Sequence, residues 1–302
     1  MTKILCINYS QSGQLNDIVD NFISPLKEVY IDRIKIDVKE NFPFPWKVNN
    51  FYDAMPETVL EEPITLKELK FKEKKYDLII LGYQPWFLSP SIPTTSLLKN
   101  DDFKKIMKNT NIITIIGARN MWLNAHKSVT NHISQAGGKL IGNIALIDKS
   151  LNHLSAISIA HWMLTGHKTK KWGIFPKPGI SEKDIKEVDK FGIILNQYLR
   201  KKNYIDLQKQ FIKNKAVKIN SNILFIEKKA KKIFIIWAKL IKKKELQGKN
   251  RSTYLKVFRI YLNIALFILS PILILFDIIF IRPFTQKSIK QEKKDFSYLN
   301  IK

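Results

Sequence analysis

Short apolar runs rich in β-branched residues recur through the first half of the chain, and the segments between them carry their apolar residues at helical spacing. The runs at 3–9 (KILCINY), 29–37 (VYIDRIKID), 76–83 (YDLIILGY), 111–117 (NIITIIG) and 139–147 (KLIGNIALI) read as strands. The first, third and fourth are apolar almost throughout, as expected for parallel strands covered on both faces. Helical patterns at about 13–27, 95–108 and 122–136 lie between them. Strand and helix in alternation predict a doubly wound α/β domain with a five-stranded parallel sheet.

The pattern changes after about residue 150. Segment 154–180 reads as an apolar helix followed by a Pro/Gly-rich loop. Segment 181–201 (SEKDIKEVDKFGIILNQYLRK) opens on a Ser N-cap and an acidic first turn and ends basic, the signature of a helix. Farther on, Ile219, Ile223, Ile226, Ala230, Ile233, Trp237 and Leu240 recur at three- and four-residue spacing. Lys228, Lys229, Lys231, Lys232, Lys239, Lys242, Lys243 and Lys244 stand between or just after them. Such a helix is expected to lie in an anionic membrane interface. The run 260–276 (IYLNIALFILSPILILF) has no charge and extends to Ile281 if Asp277 is tolerated. At about 1.5 Å per residue the longer version matches the roughly 30 Å hydrocarbon core, so membrane insertion is expected. Pro271 leaves a shallow, bent or re-entrant insertion open, and Arg259 and Arg282 flank the run without fixing its orientation. The expected organisation is an α/β domain at 1–150, a helical extension packed on it at 151–203, a basic amphipathic segment at 204–256, an apolar membrane-inserting segment at 257–282 and a basic tail at 283–302.

Charge sharpens this division. The chain has 302 residues and a formal net charge of +25. Residues 1–200 carry a net of only +7, and residues 201–302 carry +18. Nucleic acid is the rival partner for such a basic region. The neighbouring apolar run favours a membrane surface, and no nucleic-acid partner is expected. The single cysteine, Cys6, excludes an internal disulfide, and its place in the first strand marks it as a buried hydrophobe. With no secretory signal in the first residues, the α/β domain is expected in the cytoplasm, attached to the inner membrane through the C-terminal segment.

In open α/β sheets ligands bind beyond the carboxyl ends of the strands, where strand order reverses. Three strand-end loops therefore matter. The first, Ser10-Gln11-Ser12-Gly13-Gln14-Leu15, offers hydroxyls and backbone N–H groups at a helix N-terminus, a setting for a phosphate; an ordinary Ser-capped helix is the alternative. It lacks the Gly-x-Gly-x-x-Gly of dinucleotide-binding domains. The second carries Pro85, Trp86, Phe87 and Leu88 between Gln84 and Ser89-Pro90-Ser91-Ile92-Pro93, and its prolines fix a rigid path that holds an aromatic. The third carries Gly117, Arg119, Asn120 and Trp122, combining a cation, an amide and a second large aromatic.

Phosphate on the first loop and a flat ring enclosed by the other two are the parts of a flavin mononucleotide (FMN) site. Residues 1–150 thus resemble flavodoxins and flavodoxin-like quinone reductases, whose first loop typically reads Thr/Ser-x-Thr/Ser-Gly-x-Thr. Residues 10–14 match that loop, and Leu15 replaces its last hydroxyl. A longer resemblance, to about residue 200, rests on YSQSGQL, NFPFPW (41–46), YQPWFLSPSIP (83–93), GARNMW (117–122), LIGNIALID (140–148) and WGIFPKPGISEKDIKE (172–187). These segments resemble a bacterial family encoded with dialkylresorcinol and flexirubin-type pigment genes and commonly labelled dialkylresorcinol condensing enzymes. The resemblance implies a role in making or finishing an alkylated resorcinol. Condensation by a ketosynthase needs an activated cysteine with histidine partners. Cys6 lies inside a strand with no histidine near it in sequence, so the condensation is expected to belong to a ketosynthase-type partner. An FMN-dependent oxidation of a cyclic dione to the aromatic resorcinol fits the chain better, and the aromatic segment Phe42, Phe44, Trp46, Phe51 and Tyr52 either covers an apolar alkylated substrate or packs as a loop over the sheet edge. Quinone reduction with the same cofactor and a non-catalytic scaffold stay open. No general acid or base stands out: His126, His132, His153, His161 and His167 form no metal-binding spacing, and no metal is expected. His161 and His167, close to Trp162 and Trp172, are the histidines to test.

Overall fold

The apolar runs assemble into one parallel sheet. The computed structural model describes residues 1–40 and 42–301, with Lys171 described by its backbone alone. Asn41, in the NFPFPW segment, and Lys302, in the basic tail, lie outside the described residues. Along the chain come β1 (Thr2–Asn8), α1 (Gln14–Ile23), β2 (Val29–Lys35), α2 (Val48–Asp53), α3 (Met55–Leu60), β3 (Leu78–Tyr83) and the two-residue strands β4 (Pro85–Trp86) and β5 (Ser89–Pro90). They are followed by α4 (Ile92–Lys99), α5 (Asp101–Met107), β6 (Asn111–Ala118), α6 (Leu123–Gln135) and β7 (Lys139–Ile147). The strand order is β2-β1-β3-β6-β7 and every pairing is parallel, with Ile4 opposite Leu78 and Ile31, and Ile80 opposite Ile113. With the β4–β5 hairpin set aside, this is the flavodoxin-like order, in which the chain reverses direction across the sheet between β1 and β3.

Two cores cover the sheet. On one face Leu5, Ile7, Ile79, Leu81 and Tyr83 meet Leu97, Phe103, Trp122, Val129 and Ile133 from α4, α5 and α6. On the other, Ile4, Cys6, Ile80 and Ile113 meet Leu15, Ile18 and Phe22 of α1. That second layer is completed by α8 (Glu182–Lys186), α9 (Asp189–Lys201) and α10 (Leu207–Lys213), through Phe191, Leu195, Leu199, Leu207 and Phe211. Gly192 lets α9 pass close to α1, since a Cβ there would stand 2.0 Å from the Phe22 carbonyl oxygen.

Local chemistry explains where the elements differ from expectation. The helix expected over 95–108 is two helices, because Asn100 leaves the helical conformation and its side chain accepts the Phe103 N–H as the cap of α5 (2.9 Å). The helix expected over 181–201 starts as foreseen, with Ser181 accepting the Asp184 N–H (3.1 Å), and is interrupted at Glu187–Val188 between α8 and α9.

The basic region is α11 (Ser221–Leu246), packed against α3. Of the expected apolar stripe, Ile226 is buried while Ile233 and Leu240 are exposed. The face that packs against the protein is instead Leu224, Phe234, Ala238 and Ile241. Lys242 pairs with Glu57 and Glu62, and Arg251 pairs with Asp53, Glu57 and Glu245. Helix then continues as α12 (Arg251–Ser297), long and apolar enough to cross a membrane by length and composition, with little of its most apolar stretch buried.

Candidate functional site

The carboxyl ends of β1, β3 and β6 open into a cleft of about 280 Å³ at the reversal of strand order. Gln11, Ser12, Gln14 and Leu15 form its floor, Pro85, Trp86 and Phe87 one side, and Gly117 and Arg119 another. The opposing wall comes from α7 (Asn152–Thr165), through Ile159, Trp162 and Met163, together with Gly179 and Ile180.

The first loop divides its polar groups between internal and outward use. The Ser10 hydroxyl accepts the Leu15 N–H (3.1 Å). Tyr9 donates to Gln11 Oε1 (2.7 Å), and Gln11 Nε2 donates to the Phe42 and Pro43 carbonyls (3.2 and 2.9 Å). Gln14 exchanges two hydrogen bonds with the Ile180 backbone, both 3.1 Å. These three side chains therefore hold the loop and its neighbours in place. The Ser12 hydroxyl and the backbone N–H groups of Ser12, Gly13 and Gln14 form no hydrogen bond with the described residues. Gly13, at φ +86°, turns the chain into α1 in a conformation that an L side chain adopts only under strain. Free donors at a helix N-terminus make an anion cradle.

Above the cradle the walls are aromatic. Trp86 is held edge-on by Tyr9, Phe42 and Trp46, with ring centroids 6.0, 5.0 and 5.4 Å away. Phe51 packs on Phe87 (4.8 Å), and Phe44 meets Trp162 edge-on (5.9 Å). Phe87 and Leu88 occupy the hairpin turn with φ +43° and +63°, as a two-residue β-hairpin turn demands and bulky side chains resist. Strain of this kind persists only where the surroundings enforce it. Here Phe87 is held at the cleft, and Leu88 is buried on the far side against Met55, Phe234 and Phe258.

Among the described residues, Arg119 is the one charged residue lining the cleft. It donates to Asn152 O (3.0 Å) and Oδ1 (3.2 Å), and Asn120 donates to the same Oδ1. Burial draws the Arg119 guanidinium down to about 10, opposed by the Asp148 carboxylate. The guanidinium therefore stays charged at neutral pH beside an apolar slot.

Of the residues picked from sequence, Gln11, Ser12, Gln14, Leu15, Pro85, Trp86, Phe87, Gly117 and Arg119 line the cleft. Ser10, Gly13 and Asn120 are not among the lining residues, though each is next to one in sequence. Leu88 and Trp122 do not reach it: Trp122 is buried against His126 and Phe296, because the chain after Asn120 turns down into the core to begin α6. The α7 wall was not foreseen as lining. Its signal is an apolar helix without amphipathic period, which buries Ser155 and Ser158 and leaves its large side chains for the cleft or the surface. Among the described residues no carboxylate or histidine lines the cleft. His126 is buried against the Tyr83 hydroxyl (3.0 Å) and pushed down to about 3 by burial, and the Cys6 thiol is pushed up to about 12 by burial. Among the described residues no group of three or more His, Cys, Asp or Glu could hold a metal.

No family model and no curated protein matches the chain. Solved structures do. A flavoprotein from Lactobacillus acidophilus NCFM, crystallised in complex with FMN, is 20% identical, with a TM-score of 0.38 over 47% of this chain and 92% of that one. A putative flavoprotein from Bacteroides eggerthii DSM 20697 is 15% identical, with a TM-score of 0.39 over 50% of this chain and 91% of that one. One from Bacteroides uniformis ATCC 8492 is 13% identical, with a TM-score of 0.38 over 56% and 99%.

Proposed function

We propose that the chain is an FMN-binding oxidoreductase held at the membrane by α12, and that it aromatises an alkylated cyclic dione of the dialkylresorcinol type. The observation that carries the reading is the cleft itself, where an anion cradle, an aromatic slot and a half-buried cation meet at the sheet's switch point.

The residues suit the cofactor. The Ser12 hydroxyl and the N–H groups of Ser12, Gly13 and Gln14 would hold the phosphate, with the α1 dipole behind them. Trp86, Phe87 and Trp162 would enclose the ring, and Arg119 would offer a positive charge to its polar edge. When bound, the flavin supplies a hydride acceptor. Converting a cyclic dione to a resorcinol removes two hydrogens, one as that hydride and one as a proton released to solvent. The protein's share is to orient the dione and exclude water, and the apolar side chains of Phe44, Trp46, Phe51 and Met163 suit that task. Attachment to a bilayer would present substrates with alkyl chains, and α7 touches α12 directly, with His153 Nε2 3.1 Å from the Leu266 carbonyl oxygen.

The test is anaerobic mixing of the FMN-loaded full chain with an alkylated cyclohexanedione. Bleaching of the flavin band with resorcinol formation supports the reading. Bleaching only by a nicotinamide, with reoxidation by a quinone, assigns quinone reduction instead. A folded chain that takes up no FMN leaves a scaffold for a condensing partner.

A further inference from the structure

Residues on either side of the apolar run touch the same stretch of α11. Phe258, before it, packs on Phe234 with ring centroids 5.5 Å apart. Glu292, after it, pairs with Lys228 at 2.8 Å. A straight helix would separate positions 258 and 292 by about 51 Å, whereas Lys228 and Phe234 lie about 9 Å apart along α11. The chain must therefore turn back between them. Two wide helical turns, Ala265–Leu269 and Asp277–Ile281, and Pro283 just beyond the second provide the means. The returning limb ends against the α/β domain. Phe296 is buried beside Trp122, and Gln208 donates to the Ser297 carbonyl (2.8 Å).

The polarity of this bent segment is inverted. Ser270 and Asp277 face the protein at 5% and 1% exposure, while Ile272, Leu275, Phe276, Ile279 and Phe280 are 50–59% exposed. Asp277 is paired with Arg282, so the turn carries no unpaired charge at that point. Polar residues inward and large apolar residues outward suit lipid, not water. Exposed lysines at 287 and 290, and at 229, 232 and 239 on α11, would meet anionic headgroups.

We propose that α12 is a monotopic anchor: it enters one leaflet and leaves by the same face, and it does not span the bilayer. This rests on the membrane attachment proposed above. Topology can be read by cysteine labelling, because Cys6 is fully buried with its thiol pushed up to about 12, so the native chain stays unlabelled. The full chain carrying Lys249→Cys, Lys290→Cys or Phe276→Cys would be treated with a membrane-impermeant maleimide in right-side-out and inside-out vesicles. The anchor requires positions 249 and 290 to label in the same vesicle orientation, with 276 labelled only after detergent. Labelling of 249 and 290 in opposite orientations makes the segment a true span and overturns the anchor, leaving membrane attachment intact. Ready labelling of 276 without detergent removes membrane attachment altogether, and the anchor with it.

Discussion

Glu227 offers a test of how α11 is joined to the α/β domain. Its Oε1 accepts the Asn124 backbone N–H (2.7 Å) and sits 3.3 Å from the Asn124 side-chain amide, so it caps the N-terminus of α6 in place of an N-cap side chain. The residue is fully buried and Oε2 has no partner among the described residues. Burial raises its pKa from 4.5 to about 7, against the lowering effect of the Asn124 hydrogen bonds. Between those two values the folded chain holds a proton that the unfolded chain has lost. This contribution to stability is therefore full below pH 4.5 and falls away as pH rises through 7. From pH 5 to pH 8 the loss is roughly 2 to 3 kcal/mol. Glu227→Gln keeps an acceptor for Asn124 and cannot ionise. Relative to wild type, it should gain roughly 2 to 3 kcal/mol between pH 5 and pH 8, or about 5 °C in melting temperature. Thermal unfolding of both full chains in the same detergent at the two pH values measures this difference directly, and other titrating groups cancel. A stability difference that stays constant from pH 5 to pH 8 would refute the buried cap.

Four further outcomes follow from separate contacts. Ser12→Ala should weaken FMN binding by about 10- to 100-fold, the worth of one hydrogen bond to a charged group, while Ser10→Ala should lower stability by about 1 kcal/mol through the lost Leu15 contact; flavin fluorescence titration and thermal unfolding read the two separately. Gly192→Ala should destabilise by about 1–3 kcal/mol, because its methyl group meets the Phe22 carbonyl, and should leave FMN affinity unchanged. Arg251→Ala strips Glu57 and Asp53 of their shared partner and should cost about 2 kcal/mol, a loss that shrinks in high salt because the pair is partly screened.

Much of the sheet was legible because the centres of β1, β3 and β6 are buried on both faces and so are apolar almost throughout. Strand bounds agreed to within about two residues, and β7 matched at both ends. The helices at 92–107 and 182–201 were harder, since a cap such as Asn100 interrupts a pattern whose apolar period runs on across it. The 42–62 segment gave no helical signal: α2 and α3 are six residues each, and burial against α11 and α12 supports them where propensity does not. The cleft loops were legible from their place at strand ends. Trp122 misled because it directly follows that loop in sequence, yet the first turn of α6 points it into the core. The opposite wall, with Trp162 and Ile180, lies more than 140 residues from the phosphate loop and is tied to it by the Gln14 side chain, which pairs with the Ile180 backbone. The reversal of α12 was left open by Pro271, and the chain turns back later, near Pro283. Because α11 and α12 bury Met55, Leu88 and Trp122, a chain cut near residue 200 would expose core surface, and the full chain is the object to study.

The most direct measurement is a titration of the purified full chain in detergent with FMN, followed by visible absorption and flavin fluorescence. The account requires saturable binding of one FMN, with a shifted and structured absorption band and quenched fluorescence from the Trp86 and Trp162 walls, weakened by Ser12→Ala. A chain that is folded by circular dichroism yet leaves the FMN spectrum and fluorescence unchanged would contradict it.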